Sequence, residues 1–291
     1  MSSSELRASG SRLYGFLSLA RVSNSPTVAS NVLAGAALAG QVQPTGTVLA
    51  LVIALVFFYT AGMVLNDLCD YATDCRQRPE RPLPSGLISR GEALLSVFVL
   101  FGVGGALLLY LGVAPFLSGL VLIALIVLYD LWHKRNPLSP VLMAATRAMV
   151  YFTAFLAFST EPTWPLILWS AMLALYIIGL TYIAKLEHRA DVTRYWPAVL
   201  LFLPAFFAEL QPLAPIMFVL PLLFISWVIY SITYVYRPQW RNFGRAVGHL
   251  IAGVSLLDVL VLASVGATAG LGLAFIAFLA TLFLQRYVKG T

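Results

Sequence analysis

Long apolar stretches alternate with short polar connectors along almost the whole chain. A helical stretch of about 20 apolar residues crosses the hydrocarbon core of a bilayer, so the pattern predicts ten spans. No connector is long enough to form a separate soluble domain. The predicted spans lie near residues 24–41, 47–65, 92–111, 114–129, 138–158, 164–184, 196–210, 215–235, 245–263 and 267–285.

The composition supports a membrane-embedded protein. Of the 291 residues, 60% are apolar and 10% are charged, whereas about a quarter of a soluble domain is charged. We therefore expect an all-α membrane protein with a single domain over residues 1–291. Residues 1–11 are polar and lack the apolar core of a removable signal peptide, and segment 1–23 is expected to lie in the cytoplasm.

Basic residues define the expected orientation. With ten alternating spans and a cytoplasmic N-terminus, every one of the 18 Lys and Arg except Arg147 falls in a cytoplasmic connector or tail. Positive charge accumulates on the cytoplasmic side, which predicts a multi-pass protein of a bacterial inner membrane or an organelle membrane of similar topology. No basic run is long enough to follow nucleic acid, so the +6 net charge indicates topology and not a nucleic-acid partner.

Acidic residues cluster where the second predicted span ends. Asn66, Asp70 and Asp74 recur every four residues, so a continuing helix would place them on one face, with Asp67 at its margin. Uncompensated carboxylates at this spacing repel one another. Oxygen ligands of this kind suit Mg²⁺, which proteins often hold together with substrate phosphates. The structural alternative is a solvated helix end.

A second acidic pair follows the sixth predicted span. Glu187 and Asp191 are four residues apart, which predicts one helical face at the same membrane side as the first cluster. An internal repeat of four helices would place the two clusters opposite each other across a shared cavity.

Basic residues accompany both clusters. Arg78 and Arg81 lie in a proline-rich loop after the first cluster, and Lys134 follows Tyr129 after the fourth span. A metal ion could bridge the carboxylates to a diphosphate, and the basic side chains of successive connectors could bind the outer diphosphate oxygens.

These segments resemble the UbiA superfamily of intramembrane prenyltransferases. The resemblance rests on Asn66-Asp67-Leu68-Cys69-Asp70-Tyr71-Ala72-Thr73-Asp74, on Arg81-Pro82-Leu83-Pro84-Ser85-Gly86, and on Tyr129 with Lys134-Arg135. It covers roughly residues 20–262. The second family motif is usually DxxxD, and here Glu187 takes its first position, which marks a divergent branch.

The resemblance implies a helical bundle around a central cavity. The family generally has nine transmembrane helices, whereas the apolar pattern of this chain favours ten, so we expect nine or ten, ten favoured. It implies Mg²⁺-dependent transfer of a prenyl group from a prenyl diphosphate to a lipophilic or aromatic acceptor within the membrane lipid. The implied catalytic residues are Asn66, Asp67, Asp70, Asp74, Glu187 and Asp191, all of them metal ligands except Asp67. The implied substrate-binding residues are Arg78, Arg81, Tyr129, Lys134 and Lys185.

Arg147 is a further candidate for substrate binding. An arginine inside a span costs at least a few kcal/mol in lipid, so it is expected to face the cavity or a partner. It would bind an acidic acceptor or the diphosphate. The structural alternative is a pair with Asp258, which also lies within a span.

The main alternative function is a transporter or carrier that uses the same cavity without chemistry. A proton-coupled transporter would place its carboxylates near the middle of the membrane, whereas most acidic residues here lie at span ends. A catalytically silent scaffold is a further alternative, because Glu187 departs from the family motif.

Overall fold

A computed structural model describes residues 12–133, 136–188, 195–209 and 218–288. These residues are mainly helical and contain no strand. A helical segment over 12–19 precedes ten longer helices. In chain order, the ten are α1 Ser25–Leu38, α2 Gly46–Gln77, α3 Arg90–Leu111, α4 Val113–Trp132, α5 Ser139–Phe155, α6 Trp164–Lys185, α7 Trp196–Glu209, α8 Val219–Tyr236, α9 Phe243–Ser264 and α10 Thr268–Leu284.

Each predicted span corresponds to one of these helices. Helices α2, α3, α4, α6, α8 and α9 are long and apolar enough to cross a bilayer. The others have 14 or 17 residues and reach only about 21–26 Å at 1.5 Å per residue. Helix α1 ends earlier than predicted because the chain turns at Gly40, whose φ is 86°.

The outer surface of the bundle is apolar. On α3, Leu95 is 64% exposed and Phe98 is 67% exposed, and on α10 Ile276 is 61% exposed. A soluble protein rarely leaves so much contiguous apolar surface in water. The chain is therefore an integral membrane protein, and these side chains face lipid.

Helices α1 and α9 occupy the centre of the bundle. Helix α1 packs against α2, α5, α9 and α10, and α9 packs against α1, α6, α7, α8 and α10. Within lipid, burial of apolar side chains provides little driving force for helix association. Close packing of helix backbones at small residues therefore contributes more to the stability of the bundle. At Gly35 of α1, an added Cβ would lie 2.6 Å from the Tyr151 carbonyl oxygen of α5.

Gly35→Ala is expected to lower the Tm of the protein in detergent by at least about 2 °C, because overpacking typically costs about 1–3 kcal/mol. Gly102→Ala is the matched control: Gly102 lies in α3, and no atom apart from the adjacent backbone of its own helix is within 4 Å of an added Cβ. That control should keep or raise the Tm. Equal melting temperatures for the two variants would contradict close α1–α5 packing.

Candidate functional site

The bundle contains a partly open cavity of about 1460 Å³. One end is charged and the depth is mainly apolar, with Leu55, Val150 and Ile177 among its lining residues. Leu55 and Asp67 both belong to α2 and are twelve residues apart, which corresponds to roughly 18 Å of depth. The charged residues that line the cavity are Arg21, Asp67, Arg78, Glu80, Arg81, Asp130, Arg147, Glu187, Arg245 and Arg286.

The first acidic cluster lies on the C-terminal part of α2. This helix continues to Gln77, as the predicted single face of Asn66, Asp70 and Asp74 requires. The Arg81 guanidinium lies 2.8 Å from Asp74 Oδ2 and 3.5 Å from Asp67 Oδ1. The Arg21 guanidinium lies 3.1 Å from the same Asp67 oxygen. Basic side chains therefore offset the repulsion between these carboxylates.

Asn66 links the cluster to a second helix end, that of α4. Its Nδ2 donates a hydrogen bond of 3.0 Å to Asp130 Oδ1 at the end of α4. Asp130 is buried, and its Oδ2 has no hydrogen-bond partner in the described part of the chain. Sequence reasoning assigned Asp130 no role, because nothing in the spacing indicates that it meets Asn66.

Tyr129 and His133 lie beside this pair. Their rings stack at a centroid distance of 5.2 Å, and Tyr129 lines the cavity. His133 Nε2 lies 3.6 Å from Asp70 Oδ1. The Asp70 carboxylate raises the pKa of the His133 imidazole above its usual value. Sequence reasoning assigned His133 no role, since its spacing carries no signal.

The second acidic cluster is only partly described. Glu187 lines the same cavity as Asp67, Arg78 and Arg81. The prediction of one α-helical face for Glu187 and Asp191 does not hold at Glu187, because α6 ends at Lys185 and the chain tightens into a 3-10 turn over Leu186–His188. Asp191 lies outside the described residues.

Of the two predicted lysines, only Lys185 lies within the described residues. Lys185 Nζ donates a hydrogen bond of 2.7 Å to Ser139 Oγ, and the Lys185 side chain does not line the cavity. Lys134 lies outside the described residues.

The donor set of the charged end fits a hard cation. Carboxylate and amide oxygens gather there, including the unpartnered Oδ2 of buried Asp130, and Mg²⁺ prefers oxygen ligands. Among the described residues, no group of three His, Cys, Asp or Glu side chains is close enough to hold a metal ion by itself. A cation at this end would therefore need substrate oxygens or residues outside the described ranges.

Arg147 lies deeper in the same cavity. Its guanidinium donates hydrogen bonds to Asn31 Oδ1 at 3.0 Å and to Thr27 Oγ1 at 3.2 Å. Asp258 is fully buried, and Asn31 Nδ2 donates to both of its carboxylate oxygens. The alternative of a direct ion pair is therefore wrong within the described structure: Asn31 stands between Arg147 and Asp258.

Fold and site together define an integral membrane protein with a helical bundle around a cavity that is charged at one end. The model of the UbiA prenyltransferase family matches residues 28–244. Because this match covers most of the chain, the protein belongs to the UbiA prenyltransferase family.

Several relatives with sequence similarity come from archaea. Digeranylgeranylglyceryl phosphate synthase of Methanoregula boonei is 38% identical over 130 residues, which cover 42% of this chain and 44% of that relative. The protein of the same name from Metallosphaera sedula is 31% identical over 170 residues, which cover 57% of this chain and 59% of that relative. The chain thus spans about half the length of the curated relatives it matches.

Solved structures show the same fold. A UbiA homologue from Aeropyrum pernix K1 has a TM-score of 0.67 at 16% identity. The superposition covers 81% of this chain and 96% of the homologue. A UbiA homologue from Archaeoglobus fulgidus bound to GPP and Mg²⁺ has a TM-score of 0.63 at 15% identity. The superposition covers 89% of this chain and 99% of the homologue.

Arg81→Gln is expected to loosen the loop that follows α2, because Asp67 and Asp74 would lose a shared cation. Amide hydrogen exchange over residues 78–88 should become faster by on the order of fivefold, equivalent to about 1 kcal/mol. Arg76→Gln is the control, since the Arg76 side chain is exposed and donates to the Ala72 carbonyl oxygen. Unchanged exchange in Arg81→Gln would contradict the bridging role.

Proposed function

We propose that this protein transfers a prenyl group from a prenyl diphosphate to a lipophilic or aromatic acceptor within the membrane, in a Mg²⁺-dependent reaction. One observation carries the proposal: Asp67, Arg81 and Glu187 line the charged end of a cavity whose depth is apolar. A prenyl diphosphate has the matching shape, with a charged head and a long apolar tail. Membership of the UbiA prenyltransferase family supports this choice of reaction.

The charged end would bind the diphosphate. Arg78 and Arg81 line it, and a guanidinium can donate two parallel hydrogen bonds to phosphate oxygens. Tyr129 lines the same end and would contact the first isoprene unit. Lys134 remains a predicted diphosphate ligand. For Lys185 to take that role, its ammonium would have to leave the Ser139 hydroxyl.

Mg²⁺ would be held by oxygens of both acidic clusters together with the substrate. The proposed ligands are Asn66, Asp70, Asp74, Glu187 and Asp191, with Asp67 beside them. To these we add Asp130, whose free Oδ2 lies on the carboxylate that Asn66 already contacts. When bound, the ion would supply positive charge that stabilises the departing diphosphate.

Side chains that line the cavity would favour ionisation of the prenyl diphosphate. The bond between C1 of the prenyl group and the diphosphate oxygen breaks, and an electron pair of the acceptor forms the new bond to C1 while the acceptor loses a proton. Arg78 and Arg81 would hold the leaving group, and the apolar wall excludes water from the allylic cation. The Tyr59 ring also lines the cavity and offers a π face to positive charge.

The relatives support a prenyl diphosphate as donor. UbiA homologues from Archaeoglobus fulgidus have been solved with GPP and Mg²⁺ and with DMAPP and Mg²⁺. The relatives named above are digeranylgeranylglyceryl phosphate synthases, but the chain covers only about half of their length. We therefore propose the donor class and leave the acceptor as lipophilic or aromatic.

No contact among the described residues favours the alternative of a carrier without chemistry. A proton-coupled carrier needs a carboxylate that faces the transport path near the middle of the membrane. Asp258 has the required depth, but it is fully buried and does not line the cavity.

We further propose a single domain over residues 1–291, with segment 1–23 and the charged end of the cavity on the cytoplasmic side. The distribution of Lys and Arg supports this orientation. A bacterial inner membrane, or an organelle membrane of similar topology, remains a prediction, because the relatives named above are archaeal.

Membranes that contain the protein should incorporate label from radioactive geranyl diphosphate into extractable lipid, with Mg²⁺-dependent release of diphosphate. Asp70→Asn should lower this incorporation at least tenfold, in line with the roughly 10–100-fold effect of disturbing a metal site. Glu161→Gln is the control, because Glu161 is exposed in the connector after α5, and this variant should retain activity. Equal incorporation in Asp70→Asn and the unmodified protein would refute the metal assignment.

Glu187 allows a test of the second cluster. Glu187→Asp should retain turnover because a carboxylate remains, whereas Glu187→Gln should lose most of it because an amide binds Mg²⁺ weakly. Turnover is measured as diphosphate release at saturating and limiting Mg²⁺. If both variants behave alike, Glu187 is not a metal ligand.

A further inference from the structure

His249 of α9 contributes the one imidazole among the described residues that line the cavity. Its Nδ1 is buried and has no hydrogen-bond partner within the described ranges. The Trp227 indole donates instead to the His249 backbone carbonyl oxygen, at 2.8 Å. Buried polar groups are normally hydrogen-bonded, so this ring has capacity that the described chain leaves unused. Because Nδ1 is buried, Nε2 is the nitrogen that can meet a ligand in the cavity.

Three aromatic rings of α8 lie around this imidazole. The Tyr230 ring stacks on it at a centroid distance of 5.4 Å and an interplanar angle of 18°. The Trp227 ring lies at 5.2 Å and the Tyr234 ring at 5.5 Å. Aromatic faces attract positive charge. These contacts therefore fix the orientation of the neutral ring and would stabilise an imidazolium.

A chain of polar contacts connects His249 to the charged end of the cavity. The Asn24 backbone N–H donates to the carbonyl oxygen of Arg21, which belongs to that end, at 2.9 Å. Gln285 Nε2 donates to Asn24 Oδ1 at 3.2 Å and to the Gly248 carbonyl oxygen at 3.1 Å. Gly248 directly precedes His249. The imidazole therefore lies near the charged end, where C1 of a prenyl diphosphate would lie.

The carboxylates that line the cavity have other partners or positions. In the proposed function, Asp130 and Glu187 bind Mg²⁺. Asp67 already contacts two guanidinium groups, and Glu80 is exposed in the loop after α2. Imidazole is the side chain whose ordinary titration lies closest to neutral pH, and its neutral form has a free lone pair. Among the described lining residues, His249 is thus best suited to accept a proton.

Prenyl transfer releases a proton from the acceptor, and this proton needs a group in the cavity to receive it. We infer that His249 is a catalytic base, whose Nε2 accepts the proton that the acceptor loses. The electron pair of the acceptor forms the bond to C1, the bond from C1 to the diphosphate oxygen breaks with its electrons on the diphosphate, and the neutral imidazole becomes an imidazolium. This inference rests on the proposed function, since it names the proton acceptor of that reaction.

The surroundings of His249 allow the proton to leave after each turnover. Arg245 lies one helical turn earlier in α9, and both Arg245 and Asn242 are exposed residues that line the cavity, so water can reach this side. The charged or titratable groups around His249 in the described structure are Arg245 of α9, Tyr230 and Tyr234 of α8, Tyr176 of α6 and Arg286 after α10. None of these is a carboxylate that would retain the proton as an ion pair, and the charge of Arg245 favours its release.

The test compares His249→Gln with the unmodified protein in membranes supplied with radioactive geranyl diphosphate and Mg²⁺. The initial rate of label incorporation into extractable lipid should fall on the order of 100-fold, as expected for loss of a general base. The rate of the unmodified protein should rise with pH where imidazole loses its proton, and His249→Gln should lack this rise. Arg241→Gln is the matched control, because Arg241 is exposed in the connector before α9 and does not line the cavity.

His249→Ala separates proton transfer from folding. Added imidazole should restore part of its transfer rate, and substituted imidazoles should do so in the order of their basicity, which a purely structural role would not produce. In both variants the Michaelis constant for geranyl diphosphate should stay close to that of the unmodified protein, because His249 does not hold the diphosphate.

Three results would overturn the inference: undiminished transfer in His249→Gln, a rise with pH that persists in this variant, or a loss of transfer in His249→Ala that no imidazole restores. Absence of transfer in the unmodified protein would instead refute the proposed reaction. Transfer that does not depend on His249 would leave that reaction standing and remove only its base.

Discussion

A charged group that is buried in this bundle needs hydrogen bonds or counter-charges from the bundle itself, because lipid offers neither. This constraint explains why Arg81 joins Asp67 to Asp74, and why Arg21 reaches the same Asp67 oxygen. The partners come from separate stretches of chain that only the fold brings together. The charged end of the cavity is thus a product of tertiary packing and not of α2 alone.

A second polar network lies deeper and obeys the same rule. Ser30 and Asn31 of α1, Tyr151 of α5 and Asp258 of α9 form one hydrogen-bonded group. Helices α1 and α5 approach closely at Gly35, which is one helical turn after Asn31. Loss of that approach would move Asn31 away from Arg147, so small-residue packing and the placement of a charge in the cavity depend on each other.

Local patterns in the sequence were sufficient to predict much of the fold and part of the site. Apolar length predicted the helices, and four-residue spacing predicted the face of Asn66, Asp70 and Asp74 because α2 runs on to Gln77. Contacts between distant residues were not predictable. Asn66 meets Asp130 across 64 positions and Asn31 meets Asp258 across 227, and no local period records such pairings. At Glu187 the helical period failed because α6 ends two residues earlier.

The central claim is that the end of α2 and the chain beyond α6 bind one Mg²⁺–diphosphate unit in a common cavity. An experimental density map of the protein with Mg²⁺ and a non-hydrolysable geranyl diphosphate analogue tests it most directly. Metal density is expected between the Asp70–Asp74 face and Glu187, with the diphosphate beside Arg81. Metal and diphosphate bound to α2 alone, or outside the cavity, would contradict it.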